Sequence, residues 1–495
     1  MDDLELSEQE RVRREKLSKY HELGIDPFGQ KFDRSDNSQT IKDKCVDQTS
    51  EKLEANPIIV SAAGRIMTIR RMGKASFFHI QDKYGQIQCY IRKDVVGEEA
   101  YQVFALADIG DIVGVNGRVM LTHTGEPTIR VEKYTHLTKA LRPLPEKFHG
   151  LTDVEERYRR RYVDLIMNED AKRIALTRPR IIRNIQNYLD DLGFVEVETP
   201  VLSPILGGAA ARPFVTHYNA LDKDFYLRIA TELSLKRLLV GGLEKVYEIG
   251  RLFRNEGMDA RHNPEFTTIE LYMSYGDLSD MASLVEELIR KLAKDILHTG
   301  VITYGDLEID VENPFRHVHM VDLVKEATGI DFRKEMTFEE ALELATKDGI
   351  EIESHWSGVG HIINAFFEKY CEDKLIQPTL VYGHPIEISP LAKKSQDERF
   401  TERFELYIGG VEYANAFSEL NDPIDQRERF EAQLRAKEKG DAEACEMDKD
   451  FVEALEYGMP PAGGIGIGID RLVMLLTNSS TIREVVLFPH MKPNN

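Results

Sequence analysis

Three segments of the 495-residue chain place arginines, carboxylates and glycines where they can do chemistry on a charged substrate. The first is VYEIGRLFRNEGMDARHNPEFTTIELY, residues 246–272, whose two arms have the composition of β-strands. On the second arm, apolar Ile269 and Leu271 alternate with polar positions. One strand face therefore belongs to the core, and the other carries the Glu270 carboxylate and the Tyr272 phenol.

The loop between these arms is rich in cationic donors, since Arg254, Arg261 and His262 lie on it or beside it. Guanidinium groups present forked donors that match phosphate oxygens in pairs. The first segment is therefore predicted to bind a polyphosphate.

The second segment is RFELYIGGVEYANAFSELND, residues 403–422. A two-residue hairpin turn at 409–410 would pair Tyr407 with Glu412 and place Glu405 diagonally on the same face. Two converging carboxylates repel each other unless a cation lies between them, and Mg²⁺ favours such oxygen ligands when phosphates complete its coordination. Two solvated surface carboxylates are the alternative, and the default for an arbitrary pair.

The same segment continues with Asn415, Phe417 and Glu419, which alternate along one strand face. Strict alternation would place this face opposite to Glu412. A β-bulge between Glu412 and Asn415 would bring both sets together, and we predict one there.

The third segment is GGIGIGIDRLVMLL, residues 463–476, a glycine-rich strand that runs into an apolar helix with Arg471 at the junction. A helix N-terminus beside an arginine favours an anion, and glycines permit close approach of a ligand. A tightly packed strand is the alternative, but it does not explain the arginine. The segment does not match the GxGxxG dinucleotide pattern, and the chain contains no Walker motif.

Two domains are predicted to position these segments. From residue 58 to residue 139, five short β-type runs with glycine-containing turns indicate a small barrel of the oligonucleotide-binding (OB) type. Phe77 and Gln88 flank a turn, with Arg65 on the preceding strand, so aromatic and cationic groups can meet unstacked bases. Of the two adjacent aromatics, Phe78 is expected to face the core.

The predicted fold is α+β, with four parts: an N-terminal basic helix and connection (1–57), the barrel (58–145), a linker (146–176) that follows Pro143 and Pro145, and an antiparallel-sheet catalytic domain (177–495) with a helical insertion at about 277–375. The basic helix RVRREKLSKY either grips RNA or is a solvated helix face, and both alternatives remain open.

Composition limits the class of protein. A net charge of −21 excludes nucleic-acid binding through the whole surface, so any RNA contact must use local basic patches. No stretch is apolar enough for a membrane helix, and the acidic start MDDLELSEQE is not a secretory signal, so we expect a cytoplasmic protein. Four single cysteines, at 45, 89, 371 and 445, exclude a zinc ribbon.

The arginine-bearing segments resemble motifs 2 and 3 of class II aminoacyl-tRNA synthetases, and GFVEVETPVL (193–202) resembles motif 1. An anticodon-binding barrel ahead of this domain is typical of the subclass that charges lysine, asparagine and aspartate. YANAFSELNDP and GGAAARPF are similar to its lysine members. The resemblance implies activation of L-lysine by ATP, transfer of lysine to the 3′ end of tRNA(Lys), several Mg²⁺ ions per site, and a homodimer.

The resemblance also implies roles for individual residues. The implied lysine-binding set is Gly208, Glu232, Arg254, Glu270, Tyr272, Asn415, Phe417 and Glu419. The implied ATP-binding set is Arg254, Glu256, Arg261, His262, Phe266, Glu405, Glu412 and Arg471, in which Glu405 and Glu412 hold the metal and Arg254 and Arg471 are catalytic. The implied anticodon readers are Arg65, Phe77 and Gln88.

Three other functions fit parts of this pattern. A non-catalytic RNA-binding relative would be expected to lose an arginine or a metal carboxylate, and a ligase that attaches lysine to a protein would lack the barrel. An asparagine or aspartate enzyme is the nearest alternative by fold. Amino-acid-dependent pyrophosphate exchange distinguishes that alternative from a lysine enzyme.

Overall fold

The computed structural model describes residues 6–29, 31–145, 153–209, 211–439 and 447–493. The chain divides into two compact units, Met1–Thr152 and Asp153–Asn495. Cys445 and residues 146–152 of the expected linker lie outside the described residues. Within the described ranges, no helix is both long and apolar enough to cross a membrane.

The described residues of the first unit form five long strands and five helices. In chain order they are α1 (Glu8–Glu22), α2 (Ser38–Cys45), α3 (Ser50–Ala55), β1 (Ile59–Met72), β2 (Ala75–Gln81), β3 (Gln86–Arg92), α4 (Lys93–Val96), α5 (Glu98–Ala105), β4 (Ile112–Leu121) and β5 (Pro127–Thr138).

The five strands close into a barrel in the order β1-β2-β3-β5-β4, as the sequence predicted. Strand β2 shows the alternation that builds it, because every second side chain from Ser76 onward is buried. Phe78 is fully buried, which confirms its predicted place in the core. Its neighbour Phe77 faces the outside of the barrel.

Helix α1 is held by its own unit through two of its cations. Arg13 is 8% exposed, and its guanidinium donates to three backbone carbonyls: Ile109, Ala140 and Arg142. Lys16 Nζ forms an ion pair with Asp108 at 2.6 Å. These two members of the basic segment therefore have structural roles within the first unit, which neither of the two alternatives foresaw.

The second unit contains the remaining elements. They are α6 (Val154–Arg159), α7 (Arg161–Met167), α8 (Glu169–Asp191), β6 (Val195–Glu196), β7 (Leu202–Ser203), β8 (Val215–Tyr218), β9 (Lys223–Leu227), α9 (Glu232–Val240), β10 (Lys245–Phe253), β11 (Glu265–Ser274), α10 (Leu278–Leu292), β12 (Val301–Tyr304), β13 (Leu307–Asp310), β14 (Arg316–His319), α11 (Met320–Thr328), α12 (Phe338–Lys347), α13 (Val359–Tyr370), β15 (Thr379–Tyr382), β16 (Arg403–Ile408), β17 (Val411–Ser418), α14 (Pro423–Glu438), α15 (Lys449–Glu456), β18 (Ala462–Gly468), α16 (Ile469–Thr477) and α17 (Ile482–Val485).

An eight-stranded sheet in the order β14-β15-β16-β17-β18-β11-β10-β6 forms the centre of this unit. The six central strands run antiparallel, as predicted, whereas β14 and β6 join their neighbours in parallel. Apolar side chains of one sheet face pack with side chains from helices α8, α10 and α16 in one core, among them Ile269, Leu271, Ile185, Leu288 and Val473.

Two boundaries differ from the sequence-based expectation. The expected linker is helical from Val154 onward, and its helices belong to the second unit. The expected insertion contributes α10 to the main core and β14 to the sheet edge. Only its helices α11–α13 build a separate core, around residues such as Met320, Phe332 and Phe366.

Candidate active site

A cavity of about 400 Å³ opens where β11, β17, β18 and α9 meet. Most residues implied by the resemblance lie in its wall: Gly208, Glu232, Arg254, Glu256, Arg261, His262, Phe266, Glu270, Tyr272, Glu412, Asn415, Phe417 and Arg471. Glu405 and Glu419 are not part of the wall and lie behind it.

The strand register explains how distant segments meet. In the β16–β17 hairpin, Tyr407 pairs with Glu412 across the 409–410 turn, as predicted. The next pair is Leu406 with Ala414, so Tyr413 is an extra residue in β17. This bulge turns Asn415 and Phe417 towards the same cavity as Glu412 and confirms the predicted irregularity.

One end of the cavity is acidic. Glu270 accepts hydrogen bonds from the Thr231 backbone N–H and the Tyr272 hydroxyl, each at 3.3 Å. Burial, followed by the nearby charge of Glu232, raises the pKa of Glu270 to about 7. Burial also raises the pKa of Tyr272 well above its usual value, so its hydroxyl stays protonated.

Lys236, which the sequence did not single out, lies at this acidic end and is fully buried. Its Nζ is 2.5 Å from Glu232 Oε1 and forms an ion pair with Glu419 Oε2. Burial lowers the pKa of Lys236, but the two carboxylates outweigh burial and raise it, so the ammonium is charged. Glu232, Glu270 and Glu419 thus face one resident cation, which leaves two negative charges when all four groups are ionised.

Gly464 of β18 gives access to Glu419. A β-carbon at this position would collide with Glu419 Oε1 and with the Tyr272 ring. Glu419 Oε1 is buried and accepts no hydrogen bond from a described residue. Because Gly464 has no side chain, Glu419 Oε1 faces the cavity wall at this position.

The middle of the cavity suits a carboxylate. Arg254 Nε is buried without a hydrogen-bond partner among the described residues, and its guanidinium lies over the Phe266 ring at 5.2 Å. Arg403 Nε donates to Asn415 Oδ1 at 3.0 Å. Because the Asn415 oxygen is engaged by a donor, its amide NH₂ is left to donate. Arg254 and Asn415 therefore both offer donors.

Glu405 and Glu412 lie close enough to influence each other. Glu405 is held by Arg403 Nη2 at 2.5 Å and the Tyr407 hydroxyl at 2.6 Å. Burial acts to raise the pKa of Glu405, but adjacent positive charge and these hydrogen bonds lower it. Burial and the charge of Glu405 raise the pKa of Glu412, although the positive charge of Arg471 acts to lower it.

This donor set fits a hard divalent cation, because a cation beside Glu405 and Glu412 would relieve the repulsion between them. In the part of the chain that the structure describes, no group of three or more His, Cys, Asp or Glu could hold a metal. Phosphate oxygens would therefore have to complete the coordination of any ion bound there.

The other end of the cavity is cationic and open. Arg471, in the first turn of α16, donates to the Glu412 carbonyl at 2.7 Å and lies 3.5 Å from His262 Nε2. Asp259 accepts from the His262 and Arg261 backbone amides and so shapes the loop between β10 and β11. Glu256 is exposed on this loop. Exposed cations on a loop suit a polyphosphate that reaches into solvent.

The first unit carries a separate polar face. Phe77 stacks on Tyr90 with ring centroids 4.6 Å apart, and Gln88 is fixed by Thr128 and Glu126 at 2.9 and 3.0 Å. Arg65 donates to the Gly110 carbonyl at 2.7 Å and pairs with Gln81, four residues along β2 from Phe77. Phe77, Gln88 and Arg65 thus share one outer barrel face, with Arg65 farthest away.

The model of the class II tRNA synthetases for aspartate, lysine and asparagine matches residues 153–492. The model of the OB-fold nucleic acid binding domain, described as tRNA anti-codon, matches residues 60–137. The chain belongs to the class II tRNA synthetases.

Among its curated relatives, the lysine–tRNA ligase of Lysinibacillus sphaericus strain C3-41 is 61% identical over 489 residues, covering 99% of this chain and 98% of the relative. That of Streptococcus pyogenes serotype M49 is 60% identical over 490 residues, covering 99% of both chains. That of Streptococcus mutans serotype c is 59% identical over 489 residues, again covering 99% of both.

The sequence did not predict the individual roles of four residues in this class II synthetase. Lys236 and Arg403 each link two polar residues of the site, Gly464 opens the way to Glu419, and Tyr90 extends the stacking surface of Phe77. A signal existed for Lys236, because Glu232 and Lys236 are spaced four residues apart on one helix face. For Arg403, strand pairing with Phe417 was available from the predicted register.

Proposed function

We propose that the chain is a lysine–tRNA ligase, which activates L-lysine with ATP and transfers it to the 3′ end of tRNA(Lys). The observation that carries the proposal is the charge of the acidic end of the cavity. Burial raises the pKa of Glu270 to about 7 and that of Glu419 to about 8, and the two ammonium groups of lysine favour the ionised carboxylates. Three ionised carboxylates against one resident ammonium leave the two negative charges that these two groups neutralise. Asparagine and aspartate each bring one ammonium group, so either would leave a negative charge of this pocket without a partner.

The positions of the side chains support an orientation for lysine. Glu232 with Gly208 takes the α-amino group, and Arg254 with the Asn415 amide takes the α-carboxylate. Phe417 flanks the aliphatic stem. The ε-ammonium reaches the Tyr272 hydroxyl and the free Oε1 of Glu419, with Glu270 adjacent. Buried charge-assisted bonds of this kind reject neutral analogues strongly.

Adenylate formation then requires little proton chemistry. A carboxylate oxygen of lysine attacks the α-phosphorus of ATP, the bond from the α-phosphorus to the bridging oxygen breaks, and pyrophosphate leaves. The lysine carboxylate is already ionised at neutral pH, so no general base is needed. Arg254 would contact both the carboxylate and the α-phosphate, so that positioning and charge stabilisation would account for the rate.

The remaining ATP contacts lie at the open end of the cavity. Phe266 stacks on adenine, Glu256 lies near its amino group, and Arg261, His262 and Arg471 bind the β- and γ-phosphates. Glu405 and Glu412 would hold Mg²⁺, which would supply positive charge beside the departing pyrophosphate. Afterwards the 3′-hydroxyl oxygen of the terminal ribose attacks the lysyl carbonyl carbon, and the bond from that carbon to the phosphate oxygen breaks. AMP leaves, and the hydroxyl proton passes to its phosphate or to solvent.

The barrel reads the anticodon in this proposal. Phe77, backed by Tyr90, offers a stacking platform, and Gln88 offers an amide beside it. Arg65 contributes from farther along the same face. Base stacking on an aromatic side chain is worth about 1–3 kcal/mol per base, enough to anchor one anticodon base.

We also propose a cytoplasmic homodimer. The region around β6–β9 carries large apolar side chains that are exposed in the single chain: Val195, Val201, Leu202, Val215, Tyr218 and Leu221. Exposed apolar surface of this kind marks an interaction site, and most oligomers have two-fold symmetry. Light scattering should give about twice the 56.6 kDa of one chain. An active species with the mass of one chain would contradict the dimer.

The direct test of the function is aminoacylation. The purified protein, ATP, Mg²⁺ and radiolabelled lysine should charge a tRNA(Lys) transcript. A transcript whose terminal ribose diol has been oxidised with periodate should stay uncharged. Labelling of the oxidised transcript, or of a protein in place of the intact one, would contradict the proposal.

A further inference from the structure

The acidic end of the pocket contains a cation that belongs to the chain. Lys236 is fully buried, lies between Glu232 and Glu419, and has its ammonium 5.2 Å from the centre of the Phe417 ring. A buried ammonium is costly unless it is paired. Phe417 and Glu232 line the cavity, so Lys236 packs directly behind the surface that meets the substrate.

Lys236 engages only one oxygen of each carboxylate. It contacts Oε1 of Glu232 and Oε2 of Glu419. Oε1 of Glu419 is buried, has no hydrogen-bond partner among the described residues, and faces the position where Gly464 lacks a side chain. One ammonium therefore connects two carboxylates that the proposed function assigns to opposite ends of lysine.

We propose that Lys236 is a positioning residue for lysine recognition, whose ammonium holds Glu232 and Glu419 in place and opposes protonation of Glu419 before the substrate binds. It also limits the charge of the pocket to the two negative charges that lysine neutralises. This inference rests on the proposed lysine-activating function.

The charged and titratable groups that face Lys236 are Glu232 of α9, Glu270 and Tyr272 of β11, and Glu419 after β17. Burial raises the pKa of Glu419 to about 8, although Lys236 opposes that rise. Without Lys236, the pKa of Glu419 rises further and a proton competes with the substrate ammonium. This competition is strongest at low pH and fades as pH rises.

The test is pyrophosphate exchange with the full-length chain, measured against lysine concentration from pH 7.5 to pH 9.5. For Lys236→Met, the ratio of its lysine KM to the wild-type KM should fall by roughly tenfold or more over this range, since one titrating group changes binding about tenfold per pH unit below its pKa. The ratio removes pH effects common to both proteins, including those of Glu270.

Two further variants separate charge from packing. Lys236→Arg keeps the cation and should show a nearly constant ratio. Arg237→Met removes a cation from the next position of α9, where it pairs with Asp448 at 2.8 Å and not with the pocket, and should also show a constant ratio. A parallel pH profile for Lys236→Met, or a sloping one for Arg237→Met, would overturn the inference.

A measurement on the wild-type protein covers the case in which Lys236→Met does not fold. Calorimetry of lysine binding at pH 8.5 in two buffers of different ionisation enthalpy counts the protons released. Carboxylates that are already ionised release almost none, whereas release of about one proton per site or more would overturn the inference. If wild-type protein shows no lysine-dependent exchange at all, the proposed function itself fails.

Discussion

Replacement of Glu419 by glutamine probes the part of the site on which substrate choice depends. Glu419 is 1% exposed. Its Oε2 forms an ion pair with Lys236, and its Oε1 lies beside Gly464 without a hydrogen-bond partner among the described residues. A glutamine of the same volume keeps one acceptor and replaces the other by an NH₂ donor. Either Lys236 or the substrate ammonium would then meet a donor, and the negative charge would be lost.

The magnitude follows from the burial. Removal of one partner from a buried ion pair costs about 3–5 kcal/mol, whereas loss of a neutral hydrogen bond costs about 1 kcal/mol. Glu270 and Tyr272 still face the substrate ammonium, so the expected loss lies at the lower end of the ion-pair range, about 3 kcal/mol. At about 1.4 kcal/mol per tenfold change, the lysine KM should rise about 100-fold.

Pyrophosphate exchange against lysine concentration measures this change, and ATP affinity without lysine should stay nearly constant because Glu419 lies at the acidic end. Glu428→Gln is the matched control, since Glu428 is exposed on the following helix α14. A near-normal lysine curve for a folded Glu419→Gln protein would refute the assignment of Glu419 to the pocket.

Three other substitutions test separate parts of the molecule. Gly464→Ala puts a β-carbon against Glu419 and Tyr272, so both groups must move from the positions assigned to the substrate ammonium; a loss of about 1.4 kcal/mol of binding would raise the lysine KM in pyrophosphate exchange about tenfold. Phe77→Ala should lower the charging rate through loss of stacking worth about 1–3 kcal/mol, with pyrophosphate exchange unchanged. Arg13→Met removes the donor to three backbone carbonyls, and urea titration should show the free energy of unfolding lowered by about 3 kcal/mol.

Each of these predictions has a distinct contradictory outcome. For Gly464→Ala, an unchanged lysine KM would mean that Glu419 is not reached past this position. For Phe77→Ala, an equal fall of exchange and charging would mean that the barrel is not a separate RNA reader. For Arg13→Met, the same stability as exposed Lys19→Met, with weaker tRNA binding instead, would assign Arg13 to RNA.

The polar faces of the central strands could be predicted because strand alternation is local. Glu270 and Tyr272 follow from a period of two, and the pairing of Tyr407 with Glu412 follows from a glycine-glycine turn. Even the bulge at Tyr413 could be predicted, since Glu412 and Asn415 had to share one cavity. The closed barrel followed from five short β-type runs in the same way.

Features that depend on long-range packing could not be predicted. Lys236 looked like an ordinary helix charge, because nothing near it in sequence shows that Glu419 lies against it. Arg13 looked like part of an RNA-binding patch, although carbonyls about 100 residues away hold it. The parallel edge strands β6 and β14 are too short to carry a sequence signal.

The central claim is that two uncompensated negative charges at the acidic end select lysine. ATP–pyrophosphate exchange with lysine, asparagine and aspartate, measured side by side on the wild-type protein, tests it most directly. Exchange should depend on lysine alone, with the neutral and acidic amino acids at the background rate. Exchange supported by asparagine or aspartate, and not by lysine, would contradict the claim.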